Sequence, residues 1–245
     1  MPADGPTILA TSGGIRRGTR TAIELAPLIT HGFDLAGVSG RAPRLCLVPT
    51  AVGDQAQWIT WFYEAGRAAG VDVSCLTLFP MPTVGDIHGL LAEADLVWVG
   101  GGSVANLLAV WRVHQLDVIF PRLWQEGVVL GGVSAGSLCW HVGGTTDSFG
   151  PDLRPVTDGL GILPYANGVH YDSEEQRRPV FHRLVGEGIL PAGYATDDGV
   201  GLVYRGTDLV EAVSEVAGRS AYSVFREDDR VHEERITPRL LPGAT

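Results

Sequence analysis

The sequence predicts an α/β fold: a single domain built on a mostly parallel sheet flanked by helices, with an antiparallel edge at its C-terminal end. Three observations carry this prediction. Over the first two-thirds of the chain, short apolar runs alternate with amphipathic stretches of about 10–20 residues, the spacing of strand–helix–strand units whose crossovers enforce parallel pairing. Several of these runs end in glycine-rich turns that open directly into helical patterns. Beyond Gly199 the apolar runs crowd together, separated by turn residues alone, which is hairpin chemistry.

Taken in order, Thr7–Ser12 reads as the first strand, ending in Gly13-Gly14, and Arg44–Pro49 as the second. Asp54 is placed to cap a helix that runs to Gly70 and carries Trp58, Trp61 and Phe62. Val71–Phe79 reads as a third strand, Thr83–Ala94 as a short helix, and Asp95–Val99 as a fourth strand running into Gly100-Gly101-Gly102. Ser103 can cap a helical stretch that extends to about Glu126. Val128–Val133 is the fifth strand, with a helix directly after Ser134. From residue 143 to about Gly159 the pattern loosens into Gly, Pro and Asp. A helix from Ser173 to about Gly186 follows, then strand-like runs at Gly199–Tyr204, Leu209–Val213 and Ala221–Phe225. No repeat, linker or low-complexity block interrupts the chain, so one domain over residues 1–245 is expected, with its core at about 7–205 and strands and a tail over 206–245.

Composition narrows the chemistry. The 245 residues carry 18 basic and 28 acidic side chains, a net charge of −10, and every basic one is Arg. Without lysine there is no P-loop, no Schiff base and no Ser-Lys dyad. The negative balance argues against a nucleic-acid partner, and Arg16, Arg17 and Arg20 make only a weak patch against it. Cys46, Cys75 and Cys139 are too few for a disulfide scaffold and too widely spaced for structural zinc; no metal or cofactor is expected. The first residues, Met1-Pro2-Ala3-Asp4-Gly5-Pro6, lack the basic region and apolar run of a secretion signal, and no apolar stretch approaches the ~20 residues of a membrane span. The expectation is a cytoplasmic protein, with no membrane partner, acting as a monomer or homodimer.

The sharpest local signal is Gly132-Val133-Ser134-Ala135-Gly136, a G-x-S-x-G at the end of one expected strand and the start of one expected helix. This is the context of a nucleophile elbow: only small neighbours let the backbone turn tightly enough to push a side chain out above the sheet. The helix N-terminus behind it points free N–H groups at developing negative charge, making the Ala135 amide an oxyanion donor. Gly101 or Gly102, from the preceding strand, faces Ser134 as a second donor. The alternative for either segment is a tight strand–helix connection or, for the glycine run, a phosphate loop.

An activated serine needs a base, and seven histidines compete. His141 would point along the helix that follows Ser134, His114 and His182 fall in amphipathic helices, and His232 lies in a charged tail. His170 stands out, at the end of an apolar run and just before a helix. For the carboxylate that orients the imidazole, Asp147 is the first candidate, on the loop leaving the Ser134 helix, with Asp158 and Asp172 as rivals. Asp197-Asp198 could receive a substrate α-ammonium or form a capping turn.

At these residues the chain resembles the peptidase E group of serine peptidases, family S51, which includes aspartyl dipeptidases and, more distantly, cyanophycinases. The resemblance rests on Val99-Gly100-Gly101-Gly102-Ser103, Asn106-Leu107-Leu108, Gly132-Val133-Ser134-Ala135-Gly136 and Gly168-Val169-His170-Tyr171-Asp172, followed by Glu175-Gln176-Arg177. It implies a sheet similar to that of class I glutamine amidotransferases, with Ser in place of Cys. It also implies a Ser134–His170–acid triad, Asp147 falling near the third position, and hydrolysis of short peptides with a free N-terminus. Enteric aspartyl dipeptidases place an Arg just before the Glu-Gln-Arg segment to read a substrate Asp. Glu174 stands there instead, so Asp specificity is doubtful, and Arg177 and Arg178 are the nearby groups for an acidic substrate. Two other readings stay open: an α/β-hydrolase esterase, which shares G-x-S-x-G, and a non-catalytic small-ligand module of amidotransferase-like fold.

Overall fold

The computed structural model describes residues 3–245; Met1 and Pro2, part of the N-terminal stretch read above, lie outside the described residues. Along the chain run β1 (Thr7–Thr11), β2 (Ile15–Arg17), β3 (Ile23–Leu25), α1 (Pro27–Leu35), β4 (Arg44–Val48), α2 (Ala56–Ala69) and β5 (Asp72–Cys75). Next come α3 (Ile87–Ala92), β6 (Leu96–Val99), α4 (Val104–Val113), α5 (Leu116–Gln125), β7 (Val129–Val133), α6 (Ala135–Leu138) and β8 (His141–Thr146). The last part holds β9 (Arg154–Val156), β10 (Leu163–Gly168), α7 (Arg177–Gly186), β11 (Gly193–Thr196), β12 (Val200–Arg205), β13 (Asp208–Ser214), β14 (Ala221–Glu227), β15 (Arg230–Ile236) and β16 (Arg239–Leu240).

The central sheet has eight strands in the order β16-β13-β12-β1-β7-β6-β4-β5. From β1 to β5 every pair is parallel, and β12 joins β1 antiparallel. Successive side chains of a strand point to opposite faces, and here each face is covered by helices. Leu9, Leu45, Leu47, Leu96 and Trp98 pack against Leu28, Ile29 and Phe33 of α1 and Phe62 of α2. Their neighbours Ile8, Cys46, Val48, Val97 and Val99 pack against Leu107, Trp111, Phe120 and Leu123 of α4 and α5. Burial on both faces explains why these strands read as continuous apolar runs rather than alternating ones.

A second sheet of six strands, β15-β14-β11-β10-β8-β9, begins immediately after α6. Trp140, Leu163 and Ala221 join it to the α4–α5 side of the core, while Ala166, Ala195 and Val224 pack under Phe181, Leu184 and Val185 of α7. The antiparallel edge expected at the C-terminal end is therefore divided in two. β12 and β13 extend the central sheet, and β14 and β15 extend the second. The segment from residue 143 to 159, which carries no pattern in sequence, supplies the end of β8 and all of β9. Three of its four glycines are required by close backbone approach: a Cβ on Gly143 would lie 2.1 Å from the Val156 carbonyl oxygen, one on Gly144 2.1 Å from that of Asn167 and one on Gly159 2.1 Å from that of His141. No helix among the described residues is long and apolar enough to cross a membrane.

Other departures also have local causes. The helical stretch after Ser103 breaks at Gln115, whose φ is +60°, and the fold back brings Trp111 and Phe120 to 4.6 Å between centroids, both beside Trp140. Ser103 does cap α4, accepting from the Asn106 amide. Asp54 caps nothing: its carboxylate accepts from the Leu78 and Phe79 amides and so pins the chain after β5, which stops at Cys75.

His141 is not on the helix after Ser134 but on β8, fully buried, with Nδ1–H donating to the Ser137 carbonyl at 2.9 Å. Burial lowers its pKa from 6.5 to about 4. The unfolded chain takes up this proton near 6.5 and the folded chain only near 4. This stability is thus present above 6.5 and lost as pH falls between those values, by about 3 kcal/mol. Urea denaturation at pH 7 and pH 4 is expected to show that extra loss in the natural protein and not in His141→Gln.

Candidate active site

Ser134 follows the last residue of β7 with φ +57° and ψ −112°, a backbone region that non-glycine residues hold only at about 1–3 kcal/mol of strain. Its amide donates to the Thr11 carbonyl at the end of β1 (3.0 Å), and the helix that follows is a single turn, α6. The flanking glycines are dictated by space. A Cβ on Gly132 would sit 2.4 Å from the Gly136 carbonyl oxygen, and one on Gly136 2.2 Å from that of Val99. Gly136→Ala is therefore expected to destabilise the fold by about 3 kcal/mol, read as a lowered denaturation midpoint.

The turn after β6 runs alongside. Val99 pairs with Gly132, and two residues on, an ideal Cβ built on Gly101 would lie 3.2 Å from the Ser134 Cβ. Among the described residues, the backbone N–H groups of Gly101, Gly102 and Ala135 donate to no protein acceptor. Buried amides are nearly always paired, and Ala135 is buried at the start of a helix. Here free donors and a helix N-terminus border the half-buried Ser134.

His170 lies two residues past the end of β10, also with positive φ, +53°. Its amide donates to the Ser12 hydroxyl, which also pairs with Thr196 at 2.7 Å. Since Thr11 holds the Ser134 amide and Ser12 the His170 amide, the end of β1 ties both segments together across the two sheets. The His170 Nδ1 is 2.6 Å from Asp198 Oδ1. Asp198 follows β11, the parallel neighbour of β10, and its hydrogen bond from the imidazole holds its carboxyl below the usual range. Asp172, a rival for this role in the sequence, instead accepts from the Asp198 amide at 2.8 Å and pairs with Arg219, fixing the turn that presents the carboxylate.

Asp147 is not brought to His170. It leaves β8, the neighbour of β10 on the other side, and its carboxylate faces Arg177 at 4.0 Å. Asp158, exposed, pairs with Arg112. The expected substrate readers are engaged elsewhere. Arg177 is 3% exposed, bonded to Glu174 at 2.6 Å and to the Thr145 carbonyl. Arg178 pairs with Glu233 and lies over the rings of Tyr222 and Tyr171. Asp198, read in the sequence as a possible ammonium site, is the partner of His170.

His170 and Asp198 line an open cavity of about 400 Å³ with the charged and polar side chains of Ser12, Arg16, Glu215 and Arg219, and Val133 reaches its wall. Glu215 was missed in the sequence because it belongs to no motif. It accepts from the amides of Gly14 and Leu28, the latter at the N-terminus of α1, while burial pushes its pKa up.

Comparison with known proteins bears on the family and the fold. The model of peptidase family S51 matches residues 8–212. The uncharacterized peptidase YgaJ of Bacillus subtilis (strain 168) is 39% identical over 199 residues, covering 81% of this chain and 85% of that protein. Peptidase E of Streptomyces coelicolor is 28% identical over 145 residues, 58% of each chain. Two crystal structures share the fold at 17% identity. A peptidase from an acI-B1 Actinobacterium has a TM-score of 0.66, with 96% of this chain and 95% of that one covered. A putative peptidase E from Listeria monocytogenes EGD-e has a TM-score of 0.59, with 95% and 100% covered.

Proposed function

The chain belongs to peptidase family S51, and from that premise we propose that it is a serine peptidase cleaving short peptides with a free N-terminus, through Ser134, His170 and Asp198. The observation that carries this reading is the left-handed Ser134 turn bordered by the unengaged amides of Gly101 and Ala135. Ser134 Oγ attacks the scissile carbonyl while His170 Nε2 takes its proton. Asp198, bonded to Nδ1–H, fixes the tautomer that leaves Nε2 free and stabilises the imidazolium as it forms. The oxyanion lies against the Gly101 and Ala135 amides, each such donor being worth about 3 kcal/mol of barrier. His170 returns the proton to the leaving amine, and water then clears the acyl-enzyme by the same route.

Support for a substrate with a free N-terminus comes from the cavity beside His170, whose lining includes the Glu215 carboxylate as a partner for a terminal ammonium. Membership in a peptidase family sets aside the esterase alternative. The non-catalytic alternative is tested with a fluorophosphonate probe. Covalent labelling mapped to Ser134, with release of free amino acids from dipeptides, is the expected result; absence of both overturns the proposal.

A further inference from the structure

Resting on the reading of Ser134 as nucleophile, we propose that the site selects peptides with a bulky apolar side chain next to the scissile bond, and rejects acidic ones there. A second cavity of about 290 Å³ shares Val133 and Ile15 with the cavity beside His170. Leu47 and Trp98, at the ends of β4 and β6, line it together with Val52, Trp58 and Phe62, and Gly100–Gly102 form its rim. Gly101 of that rim is the glycine whose Cβ position lies 3.2 Å from the Ser134 Cβ. A substrate carbonyl seated on the Gly101 amide therefore brings a neighbouring side chain to the mouth of this cavity.

The lining decides what fits. It contains no ionisable side chain, only aliphatic and aromatic groups and glycine backbone, the composition of a pocket for an apolar ligand group. A carboxylate entering it would lose its hydration with no cation to replace it. The two arginines beside the Glu174 position cannot supply one, since Arg177 is buried against Glu174 and Arg178 is held by Glu233. The pocket walls are themselves braced: Trp58 packs edge-on to Trp61 at 5.1 Å, and Phe62 is buried in the core. Charge and apolar bulk are thus read in separate cavities that share Ile15 and Val133 as their divide.

Two measurements test this. In a set of Xaa-Ala and Ala-Xaa dipeptides, Leu or Phe is expected to exceed Ala by at least about tenfold in kcat/KM at one of the two positions, with Asp below Ala there. Val52→Arg, on the turn at the cavity wall, is expected to reverse the order of Leu and Asp, and Trp58→Ala to level it. Binding is read separately from turnover in Ser134→Ala, by indole fluorescence on titration with leucinamide and with aspartic acid α-amide, which carry the same ammonium. Leucinamide is expected to bind at least about tenfold tighter, a preference abolished by Val52→Arg. Turnover with a flat or acidic preference overturns the apolar pocket and leaves the peptidase reading standing. Absence of turnover with leucinamide binding that depends on Val52 overturns the peptidase reading and leaves the pocket standing. Equal binding of the two amides overturns the pocket whatever the turnover.

Discussion

Ser134→Ala is expected to lower kcat for short peptides by at least about 10⁴-fold with the fold unchanged, the loss typical of removing a triad nucleophile. The companion Ser134→Gly is expected to be as inactive, yet more stable than the alanine variant by about 1 kcal/mol. At φ +57° the Ala Cβ keeps the steric strain that Gly relieves, and this outweighs the extra chain entropy of Gly in the unfolded state. The pair separates chemistry from structure: both variants lose the hydroxyl, and only one loses the Cβ. Peptide turnover near the natural level in either variant would remove Ser134 from the mechanism. Equal stabilities by urea denaturation would mean that the elbow relaxes without its serine.

The second large effect discriminates between two aspartates. Asp198→Asn is expected to reduce kcat/KM by about 10³–10⁴-fold, because an amide cannot hold the imidazole in the tautomer that leaves Nε2 as base, nor stabilise its cation. Asp147→Asn is expected to stay within about twofold, its carboxylate being 61% exposed and facing Arg177 rather than His170. The opposite ranking would return the third position to Asp147. Asp172→Asn should fall between them, since it loosens the turn that presents Asp198 without touching the imidazole.

These predictions mark where local and non-local information divide. The parallel sheet was legible because its strands are buried on both faces and separated by helices, a pattern written in consecutive residues. The elbow was legible for the same reason: Gly132, Ser134 and Gly136 stand within five residues, and the steric limits on them come from the adjoining backbone and its neighbour Val99. His170 was found by its position at the end of an apolar run. Its carboxylate was not. β10 has parallel neighbours on both sides, β8 leading to Asp147 and β11 leading to Asp198, and from both of them a loop leaves at the same end as His170.

Its place on the loop leaving the Ser134 helix, and the family resemblance, favoured Asp147, but it is the turn after β11 that brings a carboxylate to His170. That turn is held by Asp172, Thr196 and Ser12, residues drawn from three separate segments. The same holds for the two cavities. In the chain Trp58 and Phe62 stand on one expected helix and Trp98 in one expected strand, with nothing in their spacing to mark a cavity, and Glu215 belongs to no motif. By itself the sequence determined the parallel sheet, the tight turn at Ser134 and the absence of any lysine chemistry, all properties of neighbouring residues or of composition. Only the tertiary structure revealed which carboxylate meets His170, the engagement of Arg177 and Arg178 in internal pairs, and the apolar pocket beside Gly101, because each depends on residues from separate segments of the chain that meet only when strands and helices pack.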